Sequence, residues 1–181
     1  MSYRPICDTW ILARPKVKYY GAYPNGFLER ARALLGVQRD DSVLHVCGGR
    51  AKEYPSWSRL CPSDQTLDLD ERCAPDYLAD ASKPLPGDKT RLDDAWPAIL
   101  CDPPYTVADA EHYAVHTDQM PKPNALLKNA LESVYIGGRV GMLHYVLPQP
   151  PREGVKFVAC VGVIVGFNNR IRIFSVYERT A

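Results

Sequence analysis

The chain is predicted to fold as an α/β domain, with a mostly parallel sheet, helices on both faces and an antiparallel hairpin at the C-terminus. Three observations predict it. Short apolar runs alternate with amphipathic stretches through the middle of the chain, which implies a parallel sheet covered on both sides. Polar or glycine-rich turns ("CGG", "LDLD", "LADA", "CDPPY") follow those runs. The last two apolar runs are joined only by a short turn at Asn168-Asn169, which tolerates the positive φ of a tight hairpin.

Taken in order, residues 1–23 form an aromatic and basic lead-in. "PNGFLERARALLG" reads as a helix that starts at Pro24 or Asn25 and stops at Gly36, with Phe27, Leu28, Ala31, Leu34 and Leu35 on one face. "SVLHV" (42–46), "QTLDLD" (65–70), a short piece of "DYLADA" (76–81) and "PAILC" (97–101) read as strands. "NALLKNALESVY" (124–135) is an amphipathic helix, with the "GGR" of 137–139 as its stop, and "RVGMLHYV" (139–146) is the fifth strand. "VKFVACVGVIVGF" and "RIRIFSVYE" complete the hairpin. The segment 147–154 is too short and proline-rich for the helix expected between two parallel strands. It is therefore either a bare loop or a sign that the boundaries lie elsewhere.

At 181 residues the chain fits one domain with a substantial core, and 46% hydrophobic with 24% charged residues is ordinary for a globular protein. The longest apolar stretch, Phe157 to Phe167, is too short to cross a bilayer. "MSYRPICDTW" lacks the apolar segment of a signal peptide, so a cytoplasmic location and no membrane contact are expected. The six cysteines form no C-x-x-C pair and no metal-ligand spacing with the four histidines, which predicts reduced thiols and no metal. His112 and His116 stand four apart but lack an acidic third ligand at convincing spacing. A net charge of +1 neither favours nor excludes nucleic acid. A nucleic-acid substrate would require the basic residues to gather on one face, with Arg14, Lys16, Lys18, Arg170, Arg172 and Arg179 as candidates.

In an open α/β sheet, ligands sit beyond the C-terminal strand ends where strand order reverses. All four polar turns fall on that edge. Their order, "VLHVCGG", "LDLD", "YLADA", "CDPPY", resembles the Rossmann-like class I S-adenosylmethionine-dependent methyltransferases, from about Tyr20 to Tyr177. "DPPY" resembles the catalytic motif of the amino-methyltransferases that modify adenine or cytosine in DNA.

The resemblance implies S-adenosylmethionine as cofactor and assigns candidate residues to it. Gly48 and Gly49 would let the backbone approach the methionine part, beside Cys47, although the usual acidic residue and G-x-G are replaced by His45, Cys47 and Gly48-Gly49. Asp68, better placed than Asp70, would accept hydrogen bonds from both ribose hydroxyls. Asp80, with Ala81, matches the position that binds the cofactor's adenine amine, a helix cap being the competing role. "KYYGAYPNGF" resembles the extra N-terminal motif beside the cofactor carboxylate, with Lys18, Tyr20 and Gly21 as contacts.

An aromatic amine is a poor nucleophile because its lone pair is delocalised into the ring. Asp102 and the carbonyl of Pro103 would accept its hydrogens, and Pro103 and Pro104, with fixed φ and no N–H, would keep those acceptors aimed. Asp102 also faces the cofactor in this reading, and Tyr105 would stack on a base taken out of its duplex. Arg50, Lys52, Trp57 and Arg59 in "RAKEYPSWSR" suit phosphates and bases, and His144 in "HYVLP" (144–148) is a candidate for the base pocket. The loops 50–64 and 106–123 are the expected substrate contacts.

The implied reaction is methyl transfer to an exocyclic nucleobase amine, adenine N6 in DNA first. Cytosine N4 ranks lower because related enzymes acting there more often carry serine at the position of Asp102. An RNA base (adenine or guanine), a protein amide and a non-catalytic cofactor-binding subunit remain alternatives. Methylation at cytosine C5 is disfavoured because the chain has Cys61-Pro62 but no Pro-Cys, and a dehydrogenase is disfavoured because "CGGRAK" lacks G-x-G-x-x-G spacing. No separate target-recognition domain fits after Tyr105. The expectation is a single domain (1–181) that reads a site through loops, acts on single strands, or relies on a homodimer or a specificity partner.

Overall fold

A computed structural model describes residues 4–17, 19, 21–54, 56–87, 94–113, 120–166 and 170–181. Eight strands form one sheet: β1 (Ile6–Leu12), β2 (Val43–Val46), β3 (Gln65–Asp68), β4 (Tyr77–Leu78), β5 (Trp96–Cys101), β6 (Val134–His144), β7 (Val155–Val165) and β8 (Ile171–Arg179). Their spatial order is β1-β7-β8-β6-β5-β2-β3-β4. Among the described strands only β8 runs antiparallel, between β6 and β7. This is the expected mixed sheet with its closing hairpin; the turn assigned to Asn168-Asn169 lies outside the described residues.

Period-2 burial divides the core between the two faces. On β5, Ala98 and Leu100 pack on one side with helix α1 (Phe27–Leu35), while Ile99 and Cys101 pack on the other with helix α4 (Pro123–Leu131). Phe27 meets Phe174 edge-on at 5.2 Å and stacks on Tyr23 at 5.3 Å, under Trp10. Each fully buried Leu or Phe contributes roughly 2–3 kcal/mol of transfer free energy, so these two layers supply most of the drive to fold. α1 is locked from behind by a buried network. Arg32 donates to both oxygens of Asp64 at 2.6 and 2.7 Å, and His45 Nε2 lies 2.9 Å from Asp64. Among the described residues, no helix is long and apolar enough to cross a membrane.

Several boundaries differ from expectation for identifiable reasons. Residues 6–12 are not lead-in but a strand, β1, paired in parallel with β7 from Ile6–Ala159 to Leu12–Val165. Helix α1 starts two to three residues later than expected, at Phe27 after Gly26 rather than at Pro24 or Asn25. Helix α4 begins with Pro123 in its first turn and ends at Leu131 instead of running to 135. Gly137-Gly138 is therefore no helix stop. It lies inside β6, where the pairing jumps from Trp96–Val134 to Ala98–Arg139, and the extra residues bulge out with Gly137 at φ 90°. The segment 106–123 is not all loop, because it holds helix α3 (Val107–His112), capped by Thr106 accepting from Asp109 N at 3.1 Å. Likewise 50–64 holds a 3-10 turn at Ala51–Glu53 and the single-turn helix α2 (Trp57–Leu60).

The crossover from β6 to β7 is a bare, proline-rich segment, and distance explains it. His144 stands level with Gly162 through their shared partner Ile173, so the chain must descend seven residues of β7 to begin at Val155. That is roughly 23 Å before any sideways step. Eleven helical steps rise only about 17 Å, whereas eleven polyproline-like steps reach about 34 Å. Tyr177 Oη donates to the Pro148 carbonyl at 2.6 Å and pins the segment midway.

Candidate active site

Strand β2 has β3 on one side and β5 on the other, so strand order reverses between β2 and β5. The loops leaving these two strands meet there. Asp102 N donates to the Val46 carbonyl at 3.1 Å, which ties the end of β5 to the end of β2. Cys47 turns left-handed at φ 56°, followed by Gly49 at φ 49°. A Cβ on Gly48 would stand 3.0 Å from the His45 carbonyl, so a side chain there would need its neighbours to give by a few tenths of an ångström. A Cβ on Gly49 would meet nothing within 4 Å, because it faces open space. Gly49 N donates to Asp68 Oδ2 at 2.7 Å and Asp70 N to Oδ1 at 3.0 Å, so the Asp68 carboxylate is fixed at the end of β3.

Two cavities open on this edge. The first, about 790 Å³ and open to solvent, is lined by Cys47, Gly48, Gly49 and Arg50 after β2 and by Leu67, Asp68 and Leu69 around the end of β3. Ala79, Asp80 and Ala81 after β4, Asp102 and Pro104 after β5, and Gly21, Ala110, Tyr113 and Pro121 complete it. Each Asp68 oxygen keeps a second lone pair. Asp80 Oδ1 accepts from Ser82 N at 2.8 Å in a turn, and the described residues that follow it, 81–87, form no helix for it to cap. A slot lined by the Asp68, Asp80 and Asp102 carboxylates, apolar side chains and a glycine turn suits a ligand that carries hydroxyls, an amine and a flat ring.

The second cavity, about 1100 Å³, is lined by Arg14, Pro15, Val17, Tyr19 and Ala22, by Pro103, Tyr105, Asp109 and Tyr145, and by Val165, Arg170 and Arg172. It shares Gly21, Asp102, Pro104 and Tyr113 with the first. Asp102 therefore stands in the wall between the two. Its Oδ1 accepts from the Tyr105 hydroxyl at 2.5 Å, and that hydroxyl accepts from Arg172 Nη1 at 3.3 Å. Burial pushes the Asp102 carboxyl up to about 6, against the opposing pull of Arg172 and the Tyr105 hydrogen bond. Burial, with the charge of Asp102, also holds the Tyr105 phenol well above its usual range. The Tyr105 ring packs against Tyr145 at 4.6 Å and edge-on against His144 at 5.4 Å. His144 Nδ1 accepts from Val146 N at 2.9 Å and burial lowers its pKa, so the ring is neutral near pH 7.

The structure thus brings Gly21, Cys47, Gly48, Gly49, Asp68, Asp80, Ala81 and Asp102 to one cavity, with Arg50 beside them. Pro103 and Tyr105 face the second cavity and Pro104 faces both. Lys52 and Trp57 line neither: Lys52 pairs with Asp76 at 2.8 Å and Trp57 packs on the His45 ring at 4.8 Å. Arg50 is held by Glu53 and lies over the Tyr19 ring at 5.0 Å. Arg59 sits 3.8 Å from Glu29. Arg14 and Arg170 do gather with Arg172, while Arg179 is bonded at the opposite sheet edge to the Val134 carbonyl. Lys18, Tyr20, His116 and the His112 side chain lie outside the described residues. His45, Cys61 and Asp64 bring ligand atoms within 4.8 Å of one another, but the Arg32 guanidinium already occupies the Asp64 carboxylate and repels a cation. Sequence reading did not single out Leu69, Tyr113 or Tyr145, although Tyr113 lies in the segment marked for substrate and Tyr145 in "HYVLP".

This fold is the Rossmann-like class I methyltransferase fold, and β1 is an edge strand of its sheet. Among solved structures that share it, TrmN from Thermus thermophilus aligns at TM-score 0.55 and 21% identity over 84% of this chain. The chain spans about half of that protein (48%). SMU.1697c, a putative methyltransferase from Streptococcus mutans in complex with SAH, aligns at 0.51 and 13% over 84% of this chain and 96% of its own. Geranyl diphosphate C-methyltransferase from Streptomyces coelicolor A3(2) aligns at 0.54 and 12%, covering 84% and 76% respectively. No family model matches the chain, and a search of curated proteins finds no match. Proteins this different in sequence share the fold, so the substrate has to be read from the site itself.

Proposed function

We propose that the protein transfers a methyl group from S-adenosylmethionine to an exocyclic amine of a nucleobase, adenine N6 in DNA being the first choice. The observation that carries this reading is the position of Asp102 in the wall between the two cavities. The first cavity fits the cofactor: Asp68 offers paired acceptors for ribose hydroxyls, Asp80 one for the adenine amine, and Gly48-Gly49 a bare backbone for the methionine part. When bound there, the cofactor supplies a sulfonium-activated methyl group.

The protein's part is positioning and electrostatics. Asp102 and the Pro103 carbonyl accept the amine hydrogens, which draws the lone pair out of ring conjugation and aims it. As the nitrogen gains its methyl it must lose a proton, and a carboxylate titrating near 6 can take it. Tyr105 and Tyr145 give the second cavity an aromatic wall for a base, and the exposed Arg14 and Arg170 at its rim suit the flanking phosphates. A homodimer or a specificity partner would supply sequence reading beyond these loops.

Transfer of tritiated methyl to duplex DNA, single-stranded DNA and RNA, followed by nucleoside analysis, tests the reading. Incorporation as an N-methylated base, abolished by Asp102→Ala with cofactor binding intact, is the expected result. Incorporation only into RNA would move the substrate class and leave the chemistry standing. Cofactor binding with no transfer to any pool would make the protein a binding subunit and overturn catalysis.

A further inference from the structure

The described hydrogen bonds of the Asp102 side chain engage Oδ1 alone, and its donor is itself held by a cation from a distant strand. Tyr105 Oη donates to Oδ1 at 2.5 Å, within the range of a charge-assisted O–H···O⁻ bond. Arg172, on β8 and 67 residues further along, donates Nη1 to the same phenol oxygen at 3.3 Å. A cation on a phenol oxygen makes its O–H a stronger donor, so the two bonds reinforce each other. Tyr105 in turn cannot swing freely, being wedged between Tyr145 and His144.

We propose that Arg172 is a positioning residue that acts on Asp102 through the Tyr105 hydroxyl, fixing Oδ1 so that Oδ2 is presented to the substrate amine. This rests on the reading of Asp102 as the amine's acceptor. Arg172 differs from Arg14 and Arg170, which line the same cavity from exposed positions; it is half-buried and committed to the phenol. The Arg172 charge directly, and then the Tyr105 hydrogen bond, oppose the burial that disfavours the Asp102 anion. The other groups facing this carboxylate do not replace it. Tyr23 before α1, Cys47 after β2 and Cys101 on β5 are all held neutral by burial. Asp68 and Asp80 in the first cavity, and Asp109 in the second, are acidic residues that supply no cation. The pKa of the Tyr19 phenol is raised, chiefly by burial, so it is neutral; Tyr113 and Tyr145 also line the second cavity. Arg14 and Arg170 are the remaining cations lining the second cavity among the described residues.

The test compares wild type with Arg172→Gln, Arg172→Lys, Tyr105→Phe and the Gln/Phe double variant. With Arg172→Gln, kcat at about pH 7 should fall about tenfold or more, the acid limb should move to higher pH by about one unit, and KM for nucleic acid should stay within about threefold. Arg172→Lys should restore part of the limb, and the double variant should shift it by less than the sum of the two single variants, the surplus over Tyr105→Phe being the direct charge of Arg172. An unmoved acid limb with a tenfold higher KM would make Arg172 a phosphate contact and overturn the relay. A ¹³C titration of the Asp102 carboxyl reads the same coupling without turnover, and an unchanged titration in Arg172→Gln would also overturn it. A wild type that transfers no methyl but shows the Arg172-dependent titration would sink the catalytic reading and leave the coupling intact.

Discussion

Replacing Asp102 by Asn should abolish methyl transfer yet stabilise the protein, and the gain should depend on pH. The carboxyl is raised from an ordinary 3.8 to about 6, chiefly by burial. A group whose folded pKa lies above its unfolded one binds more protons in the folded state across that window, so stability falls as pH rises from about 4 to about 6. Above pH 6 the cost is complete, and at 1.36 kcal/mol per pH unit it amounts to about 3 kcal/mol. That figure is an upper bound, because the side chain keeps some contact with water. Asn preserves the shape and can still accept from Tyr105, so it removes the charge with little new cavity. For a chain of this size the gain corresponds to about 6–12 °C in Tm at about pH 8, vanishing near pH 4. Differential scanning calorimetry at both values is the assay. A Tm that falls at about pH 8, or rises equally at both, would refute the claim that Asp102 is an anion held in a hostile site.

On the proposed reading the same carboxyl governs the activity profile: kcat should fall about tenfold per unit below roughly pH 6, and a rate flat down to about pH 5 would contradict that role. Asp68→Ala removes the acceptors at the end of β3 and should weaken cofactor binding about 10- to 100-fold by isothermal titration calorimetry, with a smaller change in Tm. Gly21→Ala forces a Cβ into the Tyr113 hydroxyl at a residue with φ 79°, so it should cost about 1 kcal/mol and disturb both cavities at once. Arg32→Met strips the buried Asp64 of its bidentate partner, and although burial alone would raise that carboxyl, His45 and Arg32 together keep it low. The variant should lose about 3–5 kcal/mol in urea unfolding.

The site's frame was readable because its signals are local. β2 and β5 are short apolar runs and β3 a short strand with Leu67 buried, each ended by polar or glycine-rich residues, and those endings gather around the sheet's switch point. What stayed hidden depends on partners far away in sequence. β1 reveals itself poorly because only Trp10 and Leu12 turn inward while Ile6 and Ile11 are exposed, and its pairing with β7 spans about 150 residues. Gly137-Gly138 has the composition of a helix stop and sits in a bulge that only the register with β5 makes visible. The arginines at 14, 170 and 172 could be nominated from the sequence, but the bond from Arg172 to Tyr105 could not. Trp57 and Lys52 looked like nucleic-acid contacts by type, whereas the local packing gives them partners within the protein.

The central claim is that one carboxylate separates a donor site from an acceptor site. A crystal structure with S-adenosylhomocysteine and a deoxyadenosine nucleotide tests it most directly. The account predicts the ribose on Asp68, the sulfur facing Asp102 across the wall, and the adenine amine held by Asp102 Oδ2 and the Pro103 carbonyl. A base bound away from residues 102–105, or a cofactor outside the Gly48–Asp68–Asp80 cavity, would contradict it.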